Sequence, residues 1–137
     1  MILSDHFISL NIKLTALFRI IARKYNLSFS QYCIIMNVDS LGNPMSALAK
    51  KLGLDKSTLT RNIDVLINRG LVIKRKSNSD GRIFNILLSN QGEEIKEFLY
   101  SDLDLFSSEL LSSLDHNIQD ELSLLDKIIQ KLDNHEI

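Results

Sequence analysis

One stretch of the chain, residues 45–88, limits the possible folds more than any other part of the sequence. Two short helical patterns, residues 46–52 and 56–69, are separated by a turn that contains a glycine. Two strand-like runs follow at residues 71–75 and 83–88, and a polar segment joins them. A helix-turn-helix with a hairpin behind it is a winged helix, a unit that places its second helix in the major groove of DNA.

The second of these helices has two unlike sides, because successive residues of a helix turn by about 100°. Four apolar side chains fall on one side and are predicted to pack inward: Leu59, Ile63, Leu66 and Ile67. The opposite side is short and polar, as a groove-reading surface must be: Ser57, Arg61, Asp64 and Asn68, with Thr58 on the flank. Asp55 precedes the helix, where its side chain can cap it. An ordinary amphipathic surface helix shows the same pattern, but the basic hairpin that follows favours DNA.

The predicted hairpin, or wing, is basic. Four cationic side chains are expected to project from it: Lys74, Arg75, Lys76 and Arg82. Ile73 is expected to point toward the core. Asp80 and the glycine after it supply the turn, and Asp80 is placed to orient Arg82 through a charge-assisted hydrogen bond. An arginine at such a tip can enter a narrow minor groove, whereas a solvated hairpin is the simpler alternative.

The run LAKKLGLDKSTLTRNIDVLINRGLVIKRK, the tip Asp80-Gly81-Arg82 and the run LLSNQGEE together resemble the MarR family of bacterial transcription regulators. The resemblance covers nearly the whole chain, because helices of suitable length flank the winged helix. It implies a mainly α protein with a small β-hairpin wing, a winged helix-turn-helix with N- and C-terminal dimerisation helices. It also implies a homodimeric repressor that binds a palindromic operator and whose repression a small-molecule effector can relieve.

Ten residues are predicted to contact double-stranded DNA: Lys56, Ser57, Thr58, Arg61, Asn68, Lys74, Arg75, Lys76, Asp80 and Arg82. The alternative is a winged helix that serves as a protein-interaction module without direct DNA binding. Acidic or neutral residues on the groove-facing side would favour that alternative, whereas Arg61 and the basic run of the wing favour DNA.

The charge of the chain is unevenly distributed, although its net value is only −1. Residues 45–92 contain nine Lys/Arg and three Asp/Glu, whereas residues 93–137 contain three and twelve. Such asymmetry suggests that the basic middle faces phosphates and that the acidic part is kept away from them. A solvated acidic helix face is the simpler explanation of the C-terminal part, and both can hold.

Long amphipathic helices are predicted on both sides of the winged helix. The first covers residues 5–24, and the second begins at the Ser28–Gln31 capping box and runs to about Ser40. Ser46 and Ser89 are predicted to cap later helices. A helix of about six turns follows Ser89, then a break near residues 115–117 and a further apolar stripe. We expect one domain, residues 1–137, with a DNA-binding lobe at 28–89 and dimerisation helices at 1–27 and 90–137.

Other function classes find little support in the sequence. No apolar run approaches the roughly 20 residues of a membrane span, and the start of the chain lacks the basic region of a signal peptide. The one cysteine, Cys33, fits a reducing cytoplasm, so we expect a cytoplasmic, nucleoid-associated protein without a membrane partner. Cys33 is expected to pack as a small hydrophobe, with redox sensing as the alternative. No phosphate loop, nucleophile elbow or metal-ligand spacing is present, so no enzyme activity, cofactor or metal is predicted.

Overall fold

The computed structural model describes residues 2–114 and 118–135. The elements along these residues are α1 (Leu3–Arg23), α2 (Phe29–Asn37), β1 (Asn43–Pro44), α3 (Met45–Leu52), α4 (Lys56–Asn68), β2 (Val72–Lys76), β3 (Phe84–Leu88), α5 (Asn90–Ser112) and α6 (Gln119–Asp133). The predicted class, mainly helical with a small β component, is confirmed. The predicted break at residues 115–117 lies outside the described residues.

The chain divides into two compact units, Met1–Leu103 and Asp104–Ile137. The first unit contains α1 to α4 and the sheet, and therefore holds the whole winged helix. The second contains α6, none of whose residues is buried. The predicted division into a lobe at 28–89 and dimerisation helices stays a prediction.

Local capping accounts for where two helices begin. The Ser28 hydroxyl accepts from the Gln31 amide at 3.2 Å, and the Gln31 side chain accepts from the Ser28 amide at 3.1 Å. Ser89 caps α5 by accepting from the Gly92 amide at 3.1 Å. Both predicted caps are confirmed. The second helix nevertheless ends at Asn37 and not near Ser40, because the backbone becomes extended at Val38.

The predicted cap at Ser46 is wrong. Helix α3 begins at Met45, directly after Pro44, and makes no side-chain cap bond. Asn43 and Pro44 form a short strand that pairs with β3, so Ser46 already lies in the first helical turn. This strand was not predicted. The sheet therefore has three antiparallel strands in the order β1-β3-β2.

The core of the first unit fixes how α4 is turned. Leu59, Ile63 and Leu66 are buried, as predicted, and Ile67 packs partly buried against the same cluster. They share one cluster of buried side chains with residues of the neighbouring elements, among them Ile34, Ile35, Val38, Leu48, Ile86 and Leu99. Burial of one side of α4 leaves the opposite side in solvent.

The expectation that Ile73 points toward the core is wrong, since its side chain is 41% exposed. Val72 is buried instead. Successive side chains of a strand point to opposite faces, so only one of these two neighbours can face the core. The pairing of Val72 with Leu88 and of Lys74 with Ile86 places Val72 on the same face of the sheet as the buried Ile86.

Candidate nucleic-acid interface

The N-terminus of α4 is held by Asp55. Its carboxylate accepts from the Ser57 hydroxyl at 2.6 Å, from the Thr58 amide at 2.8 Å and from the Thr58 hydroxyl at 2.9 Å. These bonds, above all that from Ser57, lower the pKa of Asp55 to about 2, because they stabilise the ionised form. The predicted cap is confirmed.

This cap changes what Ser57 and Thr58 offer to a ligand. Each was predicted to contact DNA, but in the structure both hydroxyl protons are donated to Asp55. Their oxygen lone pairs remain free to accept, so the two residues can meet a donor but cannot donate to a phosphate without breaking the cap. Thr58 is also half-buried, whereas Ser57 is exposed.

The solvent side of α4 forms a continuous exposed surface, which we call the reading face: Ser57, Arg61, Asp64 and Asn68. These residues are separated by three or four positions and therefore follow one another along the helix. Val65 lies beside them and is 40% exposed. The sequence pattern placed Asp64 on this side without giving it a role and did not single out Val65, although Val65 falls outside the buried apolar stripe.

A cleft of about 620 Å³ opens between α4 and the wing. Three cationic residues border it, and none of the described residues that line it is acidic. The lining consists of Pro44, Met45, Ser46, Ala49, Lys56, Leu59, Thr60, Lys74, Arg82, Ile83 and Phe84. The structure thus brings together Lys56, Lys74 and Arg82, three of the predicted DNA contacts that are distant in sequence.

The basic residues of β2 are all exposed and are divided between the two faces of the sheet. Lys74 lies on the same side of the sheet as Ile86, and its ammonium nitrogen is 4.6 Å from the centre of the Phe84 ring. Lys76 pairs with Phe84 on that side, while Arg75 pairs with Asn85 on the other. All three side chains are exposed, as predicted, but strand alternation places Arg75 on the face of the sheet opposite the two lysines.

At the wing tip, Asp80 accepts a hydrogen bond from the Arg82 backbone amide at 3.0 Å. The Arg82 side chain is 96% exposed, and its Nε lies 3.9 Å from the same carboxylate oxygen. That contact is a long ion pair and not the predicted side-chain hydrogen bond. The carboxylate thus shapes the turn and leaves the guanidinium free to contact a ligand.

Arg69, just past α4, was not predicted to matter. Its guanidinium donates to the backbone carbonyls of Asn26 at 2.6 Å and Tyr25 at 2.9 Å. The Tyr25 hydroxyl in turn donates to Asp102 of α5 at 2.8 Å. The C-terminal end of α4 is therefore hydrogen-bonded to the loop after α1, and that loop is hydrogen-bonded to α5.

Other kinds of site receive no support from the described residues. In residues 2–114 and 118–135, no group of three or more His, Cys, Asp or Glu could hold a metal ion. None of the described helices combines the length and apolar character required to cross a membrane. Burial raises the pKa of the Cys33 thiol, which disfavours the reactive thiolate.

Comparison with known families decides the class of the protein. The sequence profile of the SarA/Rot transcriptional regulators matches residues 16–99, more than half of the chain and all of the winged helix. The chain belongs to the SarA/Rot family of transcriptional regulators. Its family is therefore one of regulators and not of enzymes.

Relatives of this SarA/Rot protein agree with that class. An uncharacterized HTH-type transcriptional regulator of Bacillus subtilis, YhbI, is 33% identical over 79 residues, which cover 57% of this chain and 51% of YhbI. The chain thus spans about half the length of that relative.

Two solved structures share the fold. Staphylococcus aureus MarR in complex with salicylate and kanamycin has a TM-score of 0.81 at 18% identity, over 96% of this chain and 91% of that one. The S. aureus MepR–DNA complex has a TM-score of 0.73 at 18% identity, over 96% of both chains. The predicted MarR-type winged helix is confirmed as a fold.

Proposed function

We propose that this transcriptional regulator is a homodimer that binds double-stranded DNA in a sequence-specific way at a palindromic operator and acts as a repressor. In this proposal α4 enters the major groove through its reading face, and the wing tip enters the flanking minor groove. The protein acts in the cytoplasm on nucleoid DNA. Membership of a family of regulators supports the proposal.

The observation that carries the proposal is the cationic cleft beside the reading face. Lys56, Lys74 and Arg82 border the space between α4 and the wing, and contacts with phosphates supply a large share of the affinity in DNA binding. If α4 enters the major groove of a DNA duplex, the phosphate backbone of one strand would run along this space. The S. aureus MepR structure, which shares the fold, is a complex with DNA.

Unburied apolar side chains support the homodimer. Helix α1 exposes Leu3, Phe7, Ile8, Leu10, Ile12, Leu14 and Ile20. Helix α6, in the second unit, exposes Leu122, Leu124, Leu125, Ile129 and Leu132. So much exposed apolar surface on two helices marks an interaction site. A second copy of the chain covers both faces and presents two reading helices to the two halves of a palindrome.

We further propose that a small molecule, when bound to this protein, lowers its affinity for the operator. S. aureus MarR, which shares the fold, was solved with salicylate and kanamycin. An effector of this kind acts by binding the DNA-free state more tightly than the DNA-bound state.

Selection of bound duplexes from a random pool, at a stated salt concentration, tests the proposal directly. We expect enrichment of a palindrome. Arg61→Ala should then relax discrimination at one position of each half-site by about 1–3 kcal/mol, since a bidentate base contact is lost. Arg82→Ala should weaken binding to all sequences alike and reduce the dependence on log salt by about one counterion.

Arg23→Ala serves as the control, because Arg23 is an exposed arginine at the end of α1, apart from the reading face and the wing. Failure of the wild-type protein to enrich any sequence would contradict the proposal. If Arg82→Ala bound every operator like the wild type at every salt concentration, the wing would have no part in DNA binding.

A further inference from the structure

The reading face contains a carboxylate in a position where a DNA-binding protein would not be expected to gain affinity from it. Asp64 is exposed and lies with Lys56, Ser57, Thr60 and Arg61 around a shallow depression on α4. Within the described part of the chain, the Asp64 carboxylate has no hydrogen-bond or ion-pair partner. Its charge is therefore available to whatever approaches this face.

Near DNA, an unpaired carboxylate repels the phosphates and the acceptor atoms of the bases. Placed on the reading face, Asp64 lowers sequence-independent affinity unless it meets a hydrogen-bond donor. Two bases present an amino group in the major groove, cytosine through N4 and adenine through N6. Of these, cytosine is the one that acidic side chains accept from, because adenine also presents the N7 acceptor beside its amino group.

The spacing between Arg61 and Asp64 further restricts which base pairs the two residues can recognise. Residues three apart on a helix have Cβ atoms about 5–6 Å apart, whereas stacked base pairs follow one another every ~3.4 Å. Arg61 and Asp64 therefore reach the same base pair or neighbouring pairs. Arginine donates to O6 and N7 of guanine, and the cytosine of a G·C pair offers its amino group in the same groove. A basic and an acidic residue at this spacing are complementary to a G·C pair or a step of two such pairs.

We propose that Asp64 is a specificity-determining residue that accepts a hydrogen bond from a cytosine N4 amino group, at or next to the base pair contacted by Arg61. The inference rests on the proposed function. In it, Asp64 rejects sequences that place guanine O6 or thymine O4 at this position, because either oxygen would face the carboxylate. Asp64 thus lowers the affinity for all DNA and increases the discrimination between sequences.

The test compares selections from one random pool at one salt concentration by the wild type, Asp64→Ala and Asp64→Asn. The wild type should enrich cytosine at one position of each half-site. Asp64→Ala should reduce that preference about tenfold, the effect of losing one base contact, and should bind non-specific duplex more tightly. Asp64→Asn should shift the preference to adenine, whose N6 and N7 atoms match a carboxamide.

Glu97→Gln is the matched control, because it removes one exposed negative charge from α5 and not from the reading face. It should leave the enriched sequence unchanged. If both Asp64 variants enriched the wild-type sequence with the wild-type affinity ratios, the inference would be wrong while DNA binding itself stood. If the wild type enriched nothing, the proposed function would fail, and the role of Asp64 with it. Thermal melts of each variant test whether unfolding is the cause; we expect Tm values like that of the wild type, since the Asp64 carboxylate makes no hydrogen bond or ion pair within the described residues.

Discussion

At the scale of single residues, α4 is held at both ends by hydrogen bonds that involve polar side chains. Asp55 holds its first turn through three hydrogen bonds, and Arg69 holds its last through two backbone carbonyls. One end is fixed by neighbours in sequence, and the other by residues more than forty positions away. The orientation of Arg61 and Asp64 depends on both.

Asp55 should make the stability of the protein depend on acid pH. Its pKa in the folded protein is lowered to about 2, below the unfolded value of about 3.9. The cap's electrostatic contribution is therefore fully present above about pH 4 and is lost as the pH falls toward 2. Asp55→Asn keeps a capping acceptor but has no titratable charge. The difference in Tm between the wild type and this variant should therefore become smaller as the pH falls from about 4 to 2. A difference that stays constant from pH 6 to pH 2 would contradict this assignment.

Arg69→Ala should destabilise the protein by about 2 kcal/mol, since hydrogen bonds from charged groups contribute about 1.5–3 kcal/mol and Arg69 is only half-buried. Urea unfolding measures the change. Arg23→Ala should leave the midpoint unchanged, because Arg23 is exposed. Equal midpoints for both variants would show that the contacts of Arg69 with Tyr25 and Asn26 contribute nothing in solution.

At the scale of elements, the winged helix depends on a close approach between α5 and Leu71, the residue before β2. Gly92 in the first turn of α5 is buried, and a Cβ atom on it would lie 2.1 Å from the Leu71 carbonyl oxygen. Ser89, which caps α5, also donates its hydroxyl to the Gly70 carbonyl at 2.5 Å. The end of α4, the start of the wing and the start of α5 thus meet at one point.

Gly92→Ala should destabilise the protein by about 2 kcal/mol or more, because the clash involves backbone and exceeds the roughly 1 kcal/mol that alanine gains in a helix. Gly81→Ala is the matched control, since a Cβ atom there would meet nothing within 4 Å. Differential scanning calorimetry measures both. A Gly92→Ala protein as stable as the wild type would mean that α5 and the backbone of Leu71 can move apart without a loss of stability.

At the scale of the whole molecule, the proposed dimer accounts for the apolar side chains that the two units leave exposed. Ile8→Glu in α1 and Ile129→Glu in α6 should each convert the dimer into a monomer, because an unpaired charge would be buried at the interface. Their side chains are 59% and 55% exposed in the single chain. Light scattering after size exclusion measures the mass.

Leu41→Glu provides the comparison, because Leu41 is 90% exposed in the loop between α2 and β1. It should leave the mass unchanged. Dimers of unaltered stability for both Ile8→Glu and Ile129→Glu would show that these helices do not form the interface. A monomeric variant should also lose affinity for the palindrome while keeping affinity for a half-site.

The features that the sequence alone determined are those encoded by residues a few positions apart. The spacing of the apolar residues predicted which side of α4 is buried, because helical periodicity is a local property of the sequence. Asp55, Ser28 and Ser89 predicted where helices begin, because capping is also a local interaction. The winged helix followed from the same local patterns, whereas the MarR family was suggested by the resemblance of the runs at 48–76, 80–82 and 87–94. Assignment of the reading face followed too, since one buried side of a helix defines the other.

Tertiary packing decided the rest. Only the pairing with β3 shows that Val72 and not Ile73 is buried, because two adjacent apolar residues leave the phase of a strand ambiguous. The strand at Asn43–Pro44 exists only through its partner at Asn85–Ile86. The contacts of Arg69 and the meeting of Lys56, Lys74 and Arg82 around one cleft join distant segments. No local pattern specifies such contacts, since they depend on how the core brings the elements together.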